Sequence, residues 1–158
     1  MPNTDKDLFR ALKISDFPGE FQVDDKPLRG LLYPRFEVSS YTDGKGNLQT
    51  SQADVVLKPN AGTHEQEVQT GGGTSLFNVG GWFGYINWKD FKIPAQTEYP
   101  EGLVIKTGKK KKNRDKVEGI HYQIEPKNPM TVDAFKGALD TFARNALLAS
   151  INKALAGQ

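Results

Sequence analysis

Three consecutive glycines, Gly71-Gly72-Gly73, followed by Thr74-Ser75-Leu76-Phe77, constrain this chain more than any other stretch. Glycine costs backbone entropy on folding and brings no side chain to a core, so a triplet is poor material for an ordinary strand. It marks instead a tight bend, or a backbone that approaches a ligand closely. The two hydroxyls that follow sit where the bend opens, either as the lining of a site or as caps of a helix beginning at Leu76.

The rest of the sequence comes in short pieces around that bend. With 16 Gly and 9 Pro among 158 residues, turns are frequent, and the expected class is a loop-rich α+β protein. The length suits a single domain, 1–158, with one core. Residues 8–12 read as a first short strand with Arg10 inside it. Pro18-Gly19, Asp24-Asp25 and Arg29-Gly30 mark turns. Strand character returns over 31–41, broken by Pro34 and closed by a polar hairpin-like turn over 42–47. Residues 53–57 form another candidate strand, and the aromatic segment 82–88 a further one. Residues 103–107 and 118–125 are strands, and the basic run 108–116 between them reads as a solvated loop. Val132, Phe135, Leu139, Phe142, Ala146, Ile151 and Leu155 follow helical spacing and predict a long C-terminal helix that buries this stripe. Asp133 suits its positive end and Gly157 its stop.

Several function classes drop out. A net charge of +2 does not support nucleic-acid binding through overall charge. The absence of cysteine removes thiolate catalysis, disulfides and Cys-ligated zinc, and suits a reducing cytoplasm. With His64 and His121 the only histidines, a histidine-rich metal centre is excluded, and no metal is expected. Neither a phosphate-binding loop nor a G-x-S-x-G elbow occurs. The polar opening residues lead into no apolar leader, and no stretch has membrane-spanning length. Export is then expected by a route that reads no cleavable signal.

Four further features have two readings each. On strand 118–125, Tyr122 and Ile124 share the core side while His121, Gln123 and Glu125 share the other, a solvated face or a polar cleft. Arg10, among apolar neighbours, is either a snorkelling surface group or a pocket cation whose planar fork suits a diphosphate. The aromatics of 82–88 are core, or one of Trp82, Phe83 and Tyr85 stacks on a planar ligand ring. The lysine run is a solvated face, with contact to RNA or an acidic partner as the alternative.

Read together, Gly72-Gly73-Thr74-Ser75-x-Phe77, Phe91-x-Ile93-Pro94, His121-Tyr122-x-Ile124-x-Pro126-x-x-Pro129-Met130 and Leu139-Asp140-x-Phe142-x-Arg144-Asn145-Ala146 resemble one family. It is that of the Type Six Exported toxin, second of its series: antibacterial effectors with an ADP-ribosyltransferase-like fold, delivered by type VI secretion. The likeness runs from about Ala53 to the C-terminus, returns at Leu8-x-Arg10-Ala11, and fades over 13–52.

The resemblance implies a split, mixed or antiparallel sheet that clamps NAD as substrate, with a long C-terminal helix. It implies that Arg10 faces the phosphates or adenosine ribose. Thr74 and Ser75 line the nicotinamide-ribose side, Phe77 supports that pocket, and His121 opens the third strand beside them. Gln123-x-Glu125 has the spacing of an element in some ADP-ribosyltransferases whose glutamate bonds the ribose, so Glu125 is a candidate carboxylate. Ser75, His121 and Glu125 are thus the expected catalytic residues, and Arg10, Thr74, Ser75 and Phe77 the expected NAD contacts. The implied partners are a cognate immunity protein, the type VI apparatus and an ADP-ribose acceptor in the target-cell cytoplasm. An RNA 2′-phosphotransferase-like enzyme and a non-catalytic binding toxin on the same scaffold are the alternatives.

Overall fold

The computed structural model describes residues 2–19, 21 and 29–157; the turn expected at Asp24-Asp25 lies outside them. Ten strands precede a single helix in the described chain: β1 (Leu8–Lys13), β2 (Ser39–Thr42), β3 (Leu48–Ser51), β4 (Leu57–Pro59), β5 (Gln66–Val68), β6 (Thr74–Phe77), β7 (Trp88–Ile93), β8 (Leu103–Lys112), β9 (Glu118–Pro126), β10 (Met130–Thr131) and α1 (Val132–Ala156). Five of the strands form the main sheet in the order β7-β1-β6-β9-β8, and every pairing in it is antiparallel. A smaller sheet, β10-β5-β4, and the hairpin β2-β3 flank it. The class is α+β, as composition and pattern predict.

The main sheet is not evenly knitted. β1 pairs with β7 from Leu8↔Ile93 to Lys13↔Trp88, but meets β6 at one pair, Phe9↔Phe77. β6 in turn pairs fully with β9, from Thr74↔Ile124 to Phe77↔His121. Beyond Phe9 the β1 and β6 backbones part, so the sheet is split between its second and third strands.

Strand alternation sorts the side chains about that sheet. Leu8, Leu12, Leu76, Phe91, Ile93, Tyr122 and Ile124 are buried on one side and join Phe135, Leu139, Phe142, Ala143 and Ala146 of α1 in a single apolar cluster. The helix is set by its ends: Thr131 caps it by accepting from Ala134 N–H at 3.1 Å, and Asp133 lies in its first turn. Its burial stops at Ala146. Ile151 and Leu155, which the stripe predicts as core, are exposed because the helix outruns the packed cluster. Gly157 does end it, but with φ −82°, not the left-handed form.

Four other expectations change. Residues 82–87 are turns and bends, and β7 begins only at Trp88; Gly81 and Gly84, at φ 68° and 83°, bend the chain out of extension. The basic run is no loop up to Lys112: it is the outer half of β8, an edge strand. A shift of register between Thr107 and Lys110 carries it past β9, and Glu118 lies 3.0 Å from Lys110 and 3.7 Å from Lys112. Lysines on an exposed edge discourage pairing with another chain. Residues 31–36 are irregular, and the strand expected over 31–41 is confined to β2, though the turn that closes it forms as expected. The strand expected over 53–57 starts at its end, with Leu57.

Candidate active site

A cleft of about 350 Å³ opens at the split, and Arg10, Ser75, Phe77 and His121 all line it. They come from β1, β6 and β9, distant in sequence and joined only through the sheet. A larger hollow of about 520 Å³ shares Phe83 and Trp88 with it, but contains none of these four residues.

Arg10 fastens the split. Its Nη1 donates to the Ser75 carbonyl at 3.2 Å and its Nη2 to the Tyr33 carbonyl at 3.0 Å. One guanidinium thereby ties β1 to β6 and to the segment over them, a two-armed contact that lysine has no fork to make. Its Nε is buried with no acceptor among the described residues. Burial pulls the guanidinium below its ordinary pKa; Asp54 opposes that shift and Arg35 adds to it.

Phe77 packs face to face on Trp82, with ring centres 4.1 Å apart, and leans on His121 at 5.4 Å. Burial, and secondly the charge of Lys111, hold the His121 imidazole below its usual pKa, so it favours the neutral form. The backbone of β8 passes so near that a Cβ on Gly108 would lie 2.8 Å from the His121 carbonyl.

The glycine triplet is explained by contacts within the protein. Gly71 adopts φ 95°, a left-handed conformation. A Cβ on Gly72 would overlap the Asp54 carbonyl, and one on Gly73 the Ile124 carbonyl. The bend is wedged between two backbones and delivers β6 into the split.

Thr74 does not line the cleft. It is fully buried on the core side of β6, opposite Ile124, and its hydroxyl donates to the Leu32 carbonyl at 2.5 Å. Strand alternation sends Thr74 inward and Ser75 outward. Nor does Glu125 line it. One carboxylate oxygen accepts from Gly71 N–H at 3.0 Å and the other from Gln123 Nε2 at 3.0 Å, which anchors this side chain at the glycine bend.

Five cleft residues are not among the site residues expected from sequence. Tyr33 and Arg35 come from the irregular segment 31–36, Asp54 precedes the bend, Lys111 lies on β8, and Trp88 opens β7. Arg35 N–H donates to Asp54 Oδ2 at 2.7 Å and the Arg35 carbonyl accepts from Asp54 N–H at 2.8 Å, a reciprocal clasp. The Tyr33 hydroxyl donates to Asp140 of α1 at 2.7 Å, and burial, then that carboxylate, push the phenol up to about 12. Asp140 also accepts from Gly30 N–H, which pins the covering segment to the helix. In sequence, Tyr33 is signalled only through its partner Asp140, within the motif Leu139-Asp140-x-Phe142, while Lys111 and Trp88 fall in the lysine run and the aromatic segment.

Comparison with known proteins identifies the family of the chain. The family model for Tse2 ADP-ribosyltransferase toxins matches residues 3–149. Toxin Tse2 of Pseudomonas aeruginosa is 31% identical over 156 aligned residues, covering 93% of this chain and 91% of that toxin. The chain therefore belongs to the Tse2 family of ADP-ribosyltransferase toxins, type VI secretion effectors.

Proposed function

We propose that the cleft at the sheet split binds NAD and that residues 1–158 act as one toxin domain that consumes it. The observation that carries this is the meeting of Arg10, Ser75 and His121, from three separate strands, in one cleft. The residues present fit NAD. Arg10 keeps unused donor capacity at its Nε, and the exposed Arg35 and Lys111 add charge for a diphosphate. Phe77, Phe83 and Trp88 offer faces for a planar ring.

When bound, NAD supplies a linkage between a ribose carbon and a cationic ring that is a good leaving group, whose cleavage builds positive charge on the sugar. The chain's own residues bind and orient. Arg10 and Arg35 hold the phosphates. Ser75 Oγ fixes the ribose by hydrogen bonding, and neutral His121 keeps an imidazole nitrogen free to accept a hydrogen bond. Phe77 excludes water from the wall behind them.

The toxin acts in the cytoplasm of a recipient cell, reaches it through the type VI apparatus, and is neutralised in the producer by a cognate immunity protein. No helix among the described residues is long and apolar enough to cross a membrane. The test is intracellular NAD and ADP-ribosylated product during induced expression. Both the loss of NAD and growth arrest should vanish in Arg10→Ala and Ser75→Ala. Growth arrest that persists in both variants, with NAD unchanged, would refute the reading and favour a toxin that acts by binding alone.

A further inference from the structure

A cleft that breaks a ribose–nitrogen bond is served by negative charge close to the sugar, because that is where positive charge grows. The cleft at the split is rich in the opposite sign: Arg10, Arg35 and Lys111 line it. Among the described residues it contains one carboxylate, Asp54. Glu125 does not meet the need, since Gly71 and Gln123 engage its two oxygens at the glycine bend.

Asp54 is held firmly and yet keeps capacity to spare. Arg35 N–H engages Oδ2 at 2.7 Å, and Asp54 N–H returns a bond to the Arg35 carbonyl at 2.8 Å. Gly72 abuts the Asp54 carbonyl where no other residue fits. Oδ1 accepts from no donor among the described residues, and none of the ion pairs found there uses Asp54. A half-buried carboxylate on a fixed backbone, with one oxygen uncommitted, acts on a nearby charge more strongly than it would in water.

We propose that Asp54 supplies the negative charge of the NAD cleft and stabilises the ribose as its bond to nicotinamide breaks, the part the sequence reading gives to Glu125. The proposal rests on the NAD reading above. In that step the C1′–nitrogen bond breaks and its electron pair leaves with nicotinamide. An oxygen of water or of the acceptor bonds to C1′ and releases its proton to solvent. Asp54 acts by charge and exchanges no atom.

The test compares the full chain with Asp54→Asn and Glu125→Gln for NAD cleavage, NAD binding by calorimetry and thermal midpoint. Asparagine keeps an oxygen for Arg35 N–H and removes only the charge. Asp54→Asn should bind NAD within about threefold of wild type while kcat falls roughly 100-fold, the split that loss of a transition-state interaction produces. Glu125→Gln should lower the midpoint yet keep kcat within a few-fold. All rates are read well below the lowest midpoint, so a change in stability leaves the comparison intact. Wild-type kcat in Asp54→Asn, or loss of kcat in Glu125→Gln alone, overturns the role of Asp54. A wild-type chain that neither binds nor cleaves NAD overturns the reading of the cleft itself.

Discussion

Thr74 and Ser75 are neighbours with opposite surroundings, and one pair of substitutions separates them. Thr74→Val keeps the shape of the side chain and removes the hydroxyl that donates to the Leu32 carbonyl at 2.5 Å. Thr74 is fully buried, so that carbonyl is left without its donor in a place closed to water. Stranding a buried polar group costs about 1–3 kcal/mol. At this chain length each kcal/mol moves the midpoint by about 2–4 °C, so Thr74→Val should melt about 2–12 °C lower. Ser75 Oγ has no protein partner among the described residues, although its carbonyl accepts from Arg10. Ser75→Ala should therefore stay within about 0.5 kcal/mol of wild type in stability, while losing NAD affinity and toxicity. Calorimetric melting and NAD titration of both variants decide it. A Thr74→Val protein that melts like wild type but no longer binds NAD would refute the argument, because the Thr74 hydroxyl would then have to face the cleft.

Gly73→Ala should not yield folded protein, since its Cβ would overlap the Ile124 carbonyl, which circular dichroism and solubility would report. Gly137→Ala should do the opposite: it sits in α1 with nothing within 4 Å of the added carbon, so a gain of about 0.5–1 kcal/mol in denaturant unfolding is expected. His121 should titrate by NMR below the ordinary value of about 6.5, from burial first and Lys111 second, and Lys111→Ala should raise its midpoint. The folded chain resists a proton that the unfolded chain accepts, so the stability His121 contributes is complete above the unfolded pKa and fades as pH falls through the folded one. A midpoint at or above the ordinary value would contradict this. Tyr33→Phe removes the 2.7 Å bond to Asp140 and should cost about 0.5–1.5 kcal/mol in unfolding experiments.

The sequence discloses those parts of the fold whose signal is periodic or local. Alternation in residues 118–125 and the spacing of Phe135, Leu139, Phe142 and Ala146 are dictated by a face that must be buried, so β9 and most of α1 emerge directly. The far end of the helix does not, because Ile151 and Leu155 keep the period after the cluster that would bury them has ended. The aromatics of 82–88 have strand propensity, but two glycines at positive φ override it. The lysines of β8 look like a loop because an edge strand needs no buried face, only a partner on one side, and β9 provides it. Within the site, Ser75 and His121 lie on strands whose alternation can be read. Tyr33, Arg35 and Asp54 lie on irregular backbone, where no period exists and position follows from tertiary contacts alone.

Those tertiary contacts explain why the glycine bend constrains the cleft so strongly. The cleft walls are tied by main-chain groups: Arg10 grips two carbonyls, Arg35 and Asp54 clasp each other's backbone, and Gly72 and Gly73 press on the carbonyls of Asp54 and Ile124. A wall built from backbone yields little to side-chain repacking, so its geometry depends on leaving carbon out at the bend. Gly72→Ala isolates this, because its clash falls on Asp54 and not on the β6–β9 ladder. The sheet should survive while Asp54 and the Arg35 clasp are displaced, and activity should fall further than stability. Near-native melting with loss of NAD turnover would bear this out; loss of the fold in proportion to activity would show that the bend serves the sheet alone.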